Sequence, residues 1–177
     1  FITTEGFRDV IEQGYEKRFD HYDLMIDRAV PLVPRHLRLT VKERLAVNGD
    51  VLIPLDEMAV AALAKSIIRE QVGAVAIGLL HAYAHPHHEQ RLRSLLQPLL
   101  PPHVTICVSS EVAPEIREYE RFSTTVANAY VRPLMAGYLH RLQQGLSDAG
   151  LKAPLFLMMS GGGLTTLATA ARFPIRL

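Results

Sequence analysis

The chain has 177 residues, 49% of them hydrophobic, so it is long enough to bury the core of one globular domain. Its 19 basic and 18 acidic residues nearly cancel, which argues against a protein that binds nucleic acid or an anionic membrane. No apolar run approaches the roughly 20 residues that a membrane helix needs, and no signal segment is recognisable. The single cysteine, Cys107, cannot form an intramolecular disulfide, so we predict a core thiol and a cytoplasmic protein.

The first residues predict a short strand followed by a short helix. Phe1–Thr3 has the pattern of a strand end, and Thr3 or Thr4 can cap a helix that ends near Gly14. The segment from Tyr15 to Leu24 shows little periodicity, so we predict a loop there.

A hairpin is predicted next. Apolar and polar residues alternate from Leu37 to Val41, as in a half-buried strand. Asn48 and Gly49 supply a turn, and Val51–Ile53 can return as the partner of that strand. Residues 31–54 can therefore form a flap at the edge of a sheet.

Apolar strands and amphipathic helices alternate through the rest of the chain. The predicted elements are a helix from Asp56 to Gln71, a strand from Ala74 to Leu80, a helix after Pro86, a strand from Val104 to Val108, a long helix from Val126 to Asp148 that Pro133 kinks or divides, a strand from Leu155 to Met159, a helix capped by Thr165 or Thr166, and a further strand from Phe173 to Leu177. Strands and helices in alternation, joined by short connections, are typical of a parallel sheet with right-handed crossovers. We predict one α/β domain over residues 1–177, with a mixed, mostly parallel sheet flanked by helices.

Six charged side chains lie between Glu111 and Arg121. In a helix, Arg117 and Arg121 would share a face, and Glu118 would lie about one turn from Arg121. Such runs usually form solvated ion pairs, and the alternative is a cluster that orders a loop beside a substrate or partner. Asn128, at the start of the long helix, is either a hydrogen-bonded core residue or a site residue, because burying its amide unpaired would be costly.

A glycine turn is a candidate anion-binding site. Ser160, Gly161, Gly162 and Gly163 follow a predicted strand and precede a predicted helix, where backbone amides and the helix dipole can hold phosphate or carboxylate. The turn lacks the lysine and the spacing of a Walker loop, and many glycine turns after strands bind nothing. We predict that this turn lies at the same rim of the sheet as the charged run.

Histidines cluster at a strand-to-helix connection, where they could ligate zinc or another transition metal. The four residues are His81, His85, His87 and His88. The alternative is a set of solvent-facing histidines at a helix start. No Gly-x-Ser-x-Gly elbow surrounds any serine, which argues against a serine hydrolase.

Short sequence blocks spread over nearly the whole chain occur together in one known family. The blocks are Thr3–Val10, Pro54–Glu57, Leu79–Ala84, His88–Glu89, Ser109–Val112, Arg117–Arg121, Ser123–Val126, Asn128–Tyr130 and Ser160–Gly163. In content and order they resemble the hydantoinase A/5-oxoprolinase family. His81 and His88 fall on family positions and are our metal candidates, whereas His85 and His87 fall where the family varies.

The chain departs from the family pattern at two places. Gly14-Tyr15-Glu16 stands where members often carry a Gly-Arg-Gln type sequence, so the substrate assignment does not transfer. Met159 and Gly161 stand where members often have glutamine and asparagine. The chain also lacks the family's acidic, glycine-rich phosphate motif and its Ser-Gly-Pro-Ala block, so we expect part of a longer protein that alone neither binds ATP tightly nor turns over.

The resemblance implies an enzyme that uses ATP and Mg²⁺ to open a cyclic amide such as a hydantoin or 5-oxoproline. It implies a nucleotide fold similar to that of actin and hexokinase, with phosphoryl transfer aided by positioning and charge stabilisation. It also implies a hydantoinase B-like partner subunit, an oligomer for the full-length protein and substrate contacts near the loop that starts at Tyr15. The alternatives are a subunit of an ATP-dependent ketone carboxylase and a non-catalytic module that docks a partner subunit.

Overall fold

The computed structural model describes residues 1–15, 22–26 and 30–177. The predicted loop from Tyr15 to Leu24, with its implied substrate contacts, lies largely outside these residues.

The strands form one parallel sheet and two small hairpins. In chain order they are β1 (Ile2–Thr4), β2 (Leu39–Val41), β3 (Arg44–Leu45), β4 (Val51–Ile53), β5 (Ala74–Gly78), β6 (Thr105–Val108), β7 (Phe156–Met158) and β8 (Leu164–Thr166). The four-stranded sheet has the order β2-β1-β5-β6, and every neighbouring pair in it is parallel. Strands β3 and β4 pair antiparallel, as do β7 and β8.

Helices cover both faces of the parallel sheet. They are α1 (Val10–Gln13), α2 (Val60–Arg69), α3 (His87–Leu96), α4 (Ser109–Val112), α5 (Glu118–Asp148) and α6 (Leu167–Arg172). Short 3₁₀ turns occur at Arg35–Leu37, Glu57–Ala59, Gln97–Leu99 and Pro174–Arg176. The predicted α/β fold, with a mostly parallel sheet flanked by helices, is confirmed.

The alternation of side chains along β5 explains the layered arrangement. Val75 and Ile77 belong to a core cluster with α2 and α3, whereas Ala76 faces a second cluster that contains Phe122 and Val126 of α5. Because successive side chains of a strand point to opposite faces, this strand is apolar on both sides and lies between two helical layers.

Glycine is required at position 78 because α5 packs directly on β5 there. A Cβ atom on Gly78 would lie 2.4 Å from Cδ1 of Phe122, whose side chain is fully buried. The close approach sets the distance between the helix and the sheet.

Several predicted elements need correction in the first 60 residues. Thr3 and Thr4 cap no helix, because Thr4 lies in β1 and α1 begins only after Asp9. Strand β4 pairs with β3, and not with Leu39–Val41, because Val41 is buried in the main core beside β1. The Asn48-Gly49 turn is confirmed, since Gly49 has a φ of 92° and its chain neighbours form the hairpin.

The long helix is also longer than its apolar pattern indicates. It begins at Glu118 and continues through Pro133 over 31 residues, so that proline does not divide the helix, and the kink given as the other outcome stays a prediction. Its first turns contain Arg121, Phe122 and Thr125, all buried, so tertiary packing and not amphipathic periodicity fixes the start.

The C-terminal elements differ from the prediction in their connections. The strand predicted from Leu155 to Met159 is β7, which joins an exposed hairpin outside the parallel sheet: Phe156 is 50% and Met158 74% exposed. Thr166 caps α6 as predicted. Phe173–Leu177 is not a strand, because Pro174 opens a 3₁₀ turn there.

Replacing Gly78 with alanine should destabilise the fold, because the new methyl group would displace a buried ring. We expect Gly78→Ala to lower the free energy of unfolding by about 2 kcal/mol, as overpacking of a core does. Gly73→Ala is the matched control, since no atom lies within 4 Å of its added Cβ. Urea unfolding followed by circular dichroism tests this, and equal stabilities of the two variants would contradict it.

Candidate functional site

The carboxyl ends of β1, β5 and β6 meet at one edge of the parallel sheet. The chain leaves the sheet there at Thr4, at Leu79 and at Ser109. Ligands of parallel α/β sheets bind outside this edge. Buried polar side chains gather at these three exits, and they form two hydrogen-bonded groups.

Glu89 is the centre of the first group. It lies in the first turn of α3, and none of its surface is exposed. Its carboxylate accepts hydrogen bonds from the amide of Leu79 at 2.9 Å, the hydroxyl of Ser109 at 2.6 Å and the amide of Ser110 at 2.9 Å. Burial raises the pKa of Glu89, and these three hydrogen bonds oppose that increase by favouring the ionised form.

Arg121 completes this group from the opposite helical layer. Its guanidinium donates to Ser109 Oγ at 3.1 Å, to the carbonyl of Leu79 at 2.9 Å and to the carbonyl of Glu115 at 2.6 Å. The side chain is fully buried, and desolvation lowers the pKa of Arg121. Arginine suits this position because its planar fork donates in several fixed directions.

The interpretation of the charged run as solvated ion pairs is therefore wrong for Arg121 and fits Arg117. The Arg117 side chain is 73% exposed and lies 4.0 Å from Glu120, so it makes a weak surface pair. Glu118 lies 3.9 Å from Arg121, with a third of its side chain exposed. The shared helical face of the two arginines does not form, because Arg117 precedes the first turn of α5.

Thr4, Glu43 and His88 form the second buried group. The amide of Leu80 donates to Thr4 Oγ1 at 3.2 Å, and that hydroxyl donates to the Glu43 carboxylate. The other oxygen of Glu43 lies 2.7 Å from Nδ1 of His88. This group ties the β3–β4 hairpin to β1 and α3.

The histidines do not converge on one point. His88 Nδ1 is directed to Glu43, and His85 Nε2 lies 3.1 Å from the carbonyl of Val47. His81 has a positive φ of 55°, and its buried Nδ1 has no hydrogen-bond partner. Within residues 1–15, 22–26 and 30–177, no three His, Cys, Asp or Glu side chains are close enough together to hold a metal ion. No third ligating side chain of the described residues therefore joins His81 and His88, and the metal site at these two histidines stays a prediction.

The glycine turn joins two strands and does not enter a helix, so the predicted helix dipole is not available to it. Both the amide and the hydroxyl of Ser160 donate to the carbonyl of Arg176, at 3.0 and 3.1 Å. Gly162 and Gly163 have φ values of 87° and 83°, which explains the need for glycine there. Anion binding by Gly161, Gly162 and Gly163 stays a prediction.

Arg176 links the glycine turn to the start of the charged run. Its guanidinium donates to the carbonyl of Glu111 at 2.9 Å and to that of Val112 at 3.0 Å. The Glu111 carboxylate accepts from Arg93 at 2.9 Å and from Arg172 at 2.5 Å. Burial acts to raise the pKa of Glu111, but these hydrogen bonds from arginine hold it below its usual value. The two segments predicted to share a rim are thus joined through one residue, whose carbonyl accepts from Ser160 and whose guanidinium reaches Glu111 and Val112.

Asn128 is a hydrogen-bonded core residue, the first of its two predicted roles. Its amide nitrogen donates to the carbonyl of Arg172 at 3.2 Å and contacts Cys107 Sγ at 3.4 Å. Its oxygen accepts from the amide of Ile175 at 3.3 Å. Asn128 therefore fastens the C-terminal turn to α5.

The buried carboxylates of the two groups, Glu43 and Glu89, are not among the site residues that the sequence predicts. A signal for Glu89 exists in the sequence, because helical spacing places it on the same face as Leu92 and Leu96, both fully buried. A carboxylate on the apolar face of a helix indicates a buried partner. Glu43 lies between two strands, where no periodicity reveals its burial.

Family models match most of the chain. One described as the N-terminal region of hydantoinase/oxoprolinase matches residues 1–100, and the hydantoinase/oxoprolinase model matches residues 121–177. The chain belongs to the hydantoinase/oxoprolinase family. The resemblance of its sequence blocks is thereby confirmed.

Relatives of this hydantoinase/oxoprolinase chain include a caprolactamase subunit and a 5-oxoprolinase. It is 38% identical to the caprolactamase subunit alpha of Pseudomonas jessenii over 165 residues, which is 92% of the chain and 24% of that protein. It is 29% identical to the 5-oxoprolinase of Saccharomyces cerevisiae over 189 residues, which covers 93% of the chain and 14% of that protein. The chain thus spans a quarter or less of these relatives.

Two solved structures share its fold. The crystal structure of the ATP-dependent caprolactamase from Pseudomonas jessenii superposes with a TM-score of 0.86 at 35% identity, over 99% of this chain and 26% of that one. The nucleotide-free structure of acetone carboxylase gives a TM-score of 0.82 at 25% identity, also over 99% and 26%. The described part of the chain has no helix long and apolar enough to cross a membrane.

Replacement of Arg121 should be far more costly than replacement of Arg117, four residues earlier. We expect Arg121→Lys to lower the free energy of unfolding by about 3 kcal/mol, because buried carbonyls and Ser109 lose their donors. Arg117→Lys is the matched control and should change it by less than about 0.5 kcal/mol, because that side chain is exposed. Urea unfolding of both variants measures the difference. If both variants lowered the free energy of unfolding by the same small amount, the buried hydrogen bonds of Arg121 would not stabilise the fold.

Proposed function

We propose that this chain is one section of an ATP-dependent enzyme that opens a cyclic amide, such as a hydantoin, 5-oxoproline or another lactam. The observation that carries the proposal is the TM-score of 0.86 to an ATP-dependent caprolactamase, which extends over 99% of the chain. Membership of the hydantoinase/oxoprolinase family supports the same class of substrate. Because the match covers 26% of that enzyme, the remaining machinery would lie in residues beyond this chain.

ATP and Mg²⁺ belong to the complete protein in this proposal, because the described residues fit them poorly. Among those residues no three carboxylate, histidine or cysteine side chains come together for a metal ion. Ser160 directs both of its donors to the carbonyl of Arg176, which leaves them unavailable to a phosphate. The section would instead supply a rigid sheet edge against which a substrate is positioned.

The buried groups at the carboxyl edge support this positioning role. Glu89 and Arg121 approach Leu79 from two helical layers and hold its amide and its carbonyl. Catalysis requires reacting groups to be held within fractions of an ångström, and a loop fixed by buried hydrogen bonds can meet that demand. The residues that touch the substrate would then lie on the loop that follows, from His81 to His85.

ATP-dependent carboxylation of a ketone is the second candidate function. Its support is the TM-score of 0.82 to acetone carboxylase, at 25% identity over 99% of the chain. Both reactions start from a carbonyl group, so the same sheet edge could serve either one. Carboxylation is the weaker candidate, because the identity to acetone carboxylase is 25%, against 35% to the caprolactamase.

A docking role for part of the surface accompanies either activity. The relative from Pseudomonas jessenii is a subunit, which supports a partner of the hydantoinase B type and an oligomeric full-length protein. On α5, Tyr130, Leu134 and Tyr138 recur every four residues and are 67%, 73% and 49% exposed. A purely non-catalytic docking module is the third candidate, and this apolar stripe is the observation that favours it. Cys107 is buried as a free thiol, which supports a cytoplasmic location.

An ATPase assay with a substrate panel tests the proposed function. The complete gene product that carries this chain, prepared with its hydantoinase B-like partner, should hydrolyse ATP only when ε-caprolactam, 5-oxoproline or hydantoin is present. The 177-residue chain is the control and should hydrolyse no ATP, because it lacks the phosphate motifs. ATP use that instead requires acetone and bicarbonate would favour the carboxylase. The docking module would be favoured if no panel compound stimulated the complete protein, and turnover by the short chain would place the nucleotide site here.

A further inference from the structure

The loop after β5 opens with a backbone conformation that residues other than glycine adopt infrequently. In the described ranges, positive φ angles outside glycine occur at Gln71, with 51°, and at His81, with 55°. Gln71 follows the end of α2, where a left-handed residue commonly terminates a helix. His81 ends no helix, and it lies at the carboxyl edge of the sheet. Such a conformation is strained, and it persists only where the surroundings impose it.

The surroundings impose it through the two residues that precede His81. The amide of Leu79 donates to Glu89 of α3, and its carbonyl accepts from Arg121 of α5. The amide of Leu80 donates to Thr4 of β1. Side chains from three different elements therefore fix consecutive backbone groups immediately before the strained residue.

The imidazole of His81 lacks the partner that its neighbours have. Its Nδ1 is buried without a hydrogen bond, whereas His85 contacts the carbonyl of Val47 and His88 contacts Glu43. Because no described protein group holds Nδ1, the ring can carry its proton on Nε2, where it can donate to a ligand.

The neighbouring groups favour a neutral ligand over a phosphate. The His81 ring lies 6.5 Å from the ring of Tyr83, and the Arg121 guanidinium lies 5.6 Å from that same ring. Arg121 directs its donors to protein carbonyls and to Ser109, and the acidic Glu118 lies 3.9 Å from it. An aromatic ring beside a hydrogen-bonding imidazole suits a carbonyl group.

We propose that His81 is a substrate-contacting residue whose Nε2 hydrogen-bonds the carbonyl group of the amide or ketone substrate, held in place by Glu89, Arg121 and Thr4. This inference rests on the proposed function. It differs from the predicted metal site, because it assigns the imidazole to an organic carbonyl and requires no second histidine.

Kinetics of the complete protein separate this role from nucleotide binding. His81→Gly removes the ring and tolerates the positive φ, and we expect it to lower kcat/KM for the cyclic amide by about 100-fold, as loss of one positioned hydrogen-bonding group does. The KM for ATP should not change. Gln71→Gly, at the other left-handed residue, should leave both constants unaltered. An unchanged kcat/KM, or a rise in the KM for ATP alone, would overturn the proposal.

Thermal unfolding of the 177-residue chain tests the strain independently. Glycine adopts positive φ freely, so His81→Gly and Gln71→Gly should each leave the Tm unchanged or raise it. Because the proposal holds that the ring serves a ligand, a loss of Tm in His81→Gly as large as that of Arg121→Lys would show a structural side chain and contradict it.

Histidine NMR tests the role of His81 even if the complete protein opens no cyclic amide. That failure would contradict only the proposed function. The chain has eight histidines, so the His81 ring signal can be assigned by its loss in His81→Gly. Titration with ε-caprolactam or acetone at millimolar concentration should shift that signal, and inorganic phosphate should not. A shift produced by phosphate alone, or by none of the three probes, would refute the assignment.

Discussion

The buried guanidinium of Arg121 is the interaction on which the rest of this structure depends. A fully buried cation is expensive unless its donors are all used, and this one donates to Ser109 and to the carbonyls of Leu79 and Glu115. Glu89 approaches the same hydroxyl of Ser109 from the other side of the sheet. The pair thereby connects α3, β5, β6 and α5 at one edge. Loss of Arg121 would leave Ser109 and the buried carbonyl of Leu79 without their donor.

The apolar packing makes this polar group possible. Helix α5 can bring Arg121 to the end of β5 because Phe122, its next residue, fits against the bare backbone of Gly78. A larger residue at that position would push the helix outward, and the hydrogen bond to Leu79 would lengthen. The buried polar group at the edge and the close helix–sheet contact beside it are thus parts of one arrangement.

The amino-acid pattern predicts the layers of this fold well and the edge poorly. Apolar runs such as Ala74–Gly78 and the spacing of α2 indicate the parallel sheet and its helices, because both report burial directly. Periodicity could not place Arg121, because its burial is decided by partners distant in sequence, such as Leu79. The same limit explains the misassigned partner of β4 and the glycine turn, which enters a strand and not a helix. The family resemblance was visible from short blocks because several of these blocks, including Leu79–Ala84 and Arg117–Arg121, carry the residues of this edge.

The chain matches 26% of each of the two solved structures that share its fold. It contains a parallel sheet with buried polar groups at its carboxyl edge, and no three His, Cys, Asp or Glu side chains of the described residues come together to hold a metal ion. Buried side chains of three other elements hold the backbone that leaves β5. Hydrogen exchange of the Leu79 and Leu80 amides in the 177-residue chain measures how firmly they hold it, and both amides should exchange as slowly as those of β5. Exchange at the rate of an exposed loop would show that these side chains do not fix the backbone.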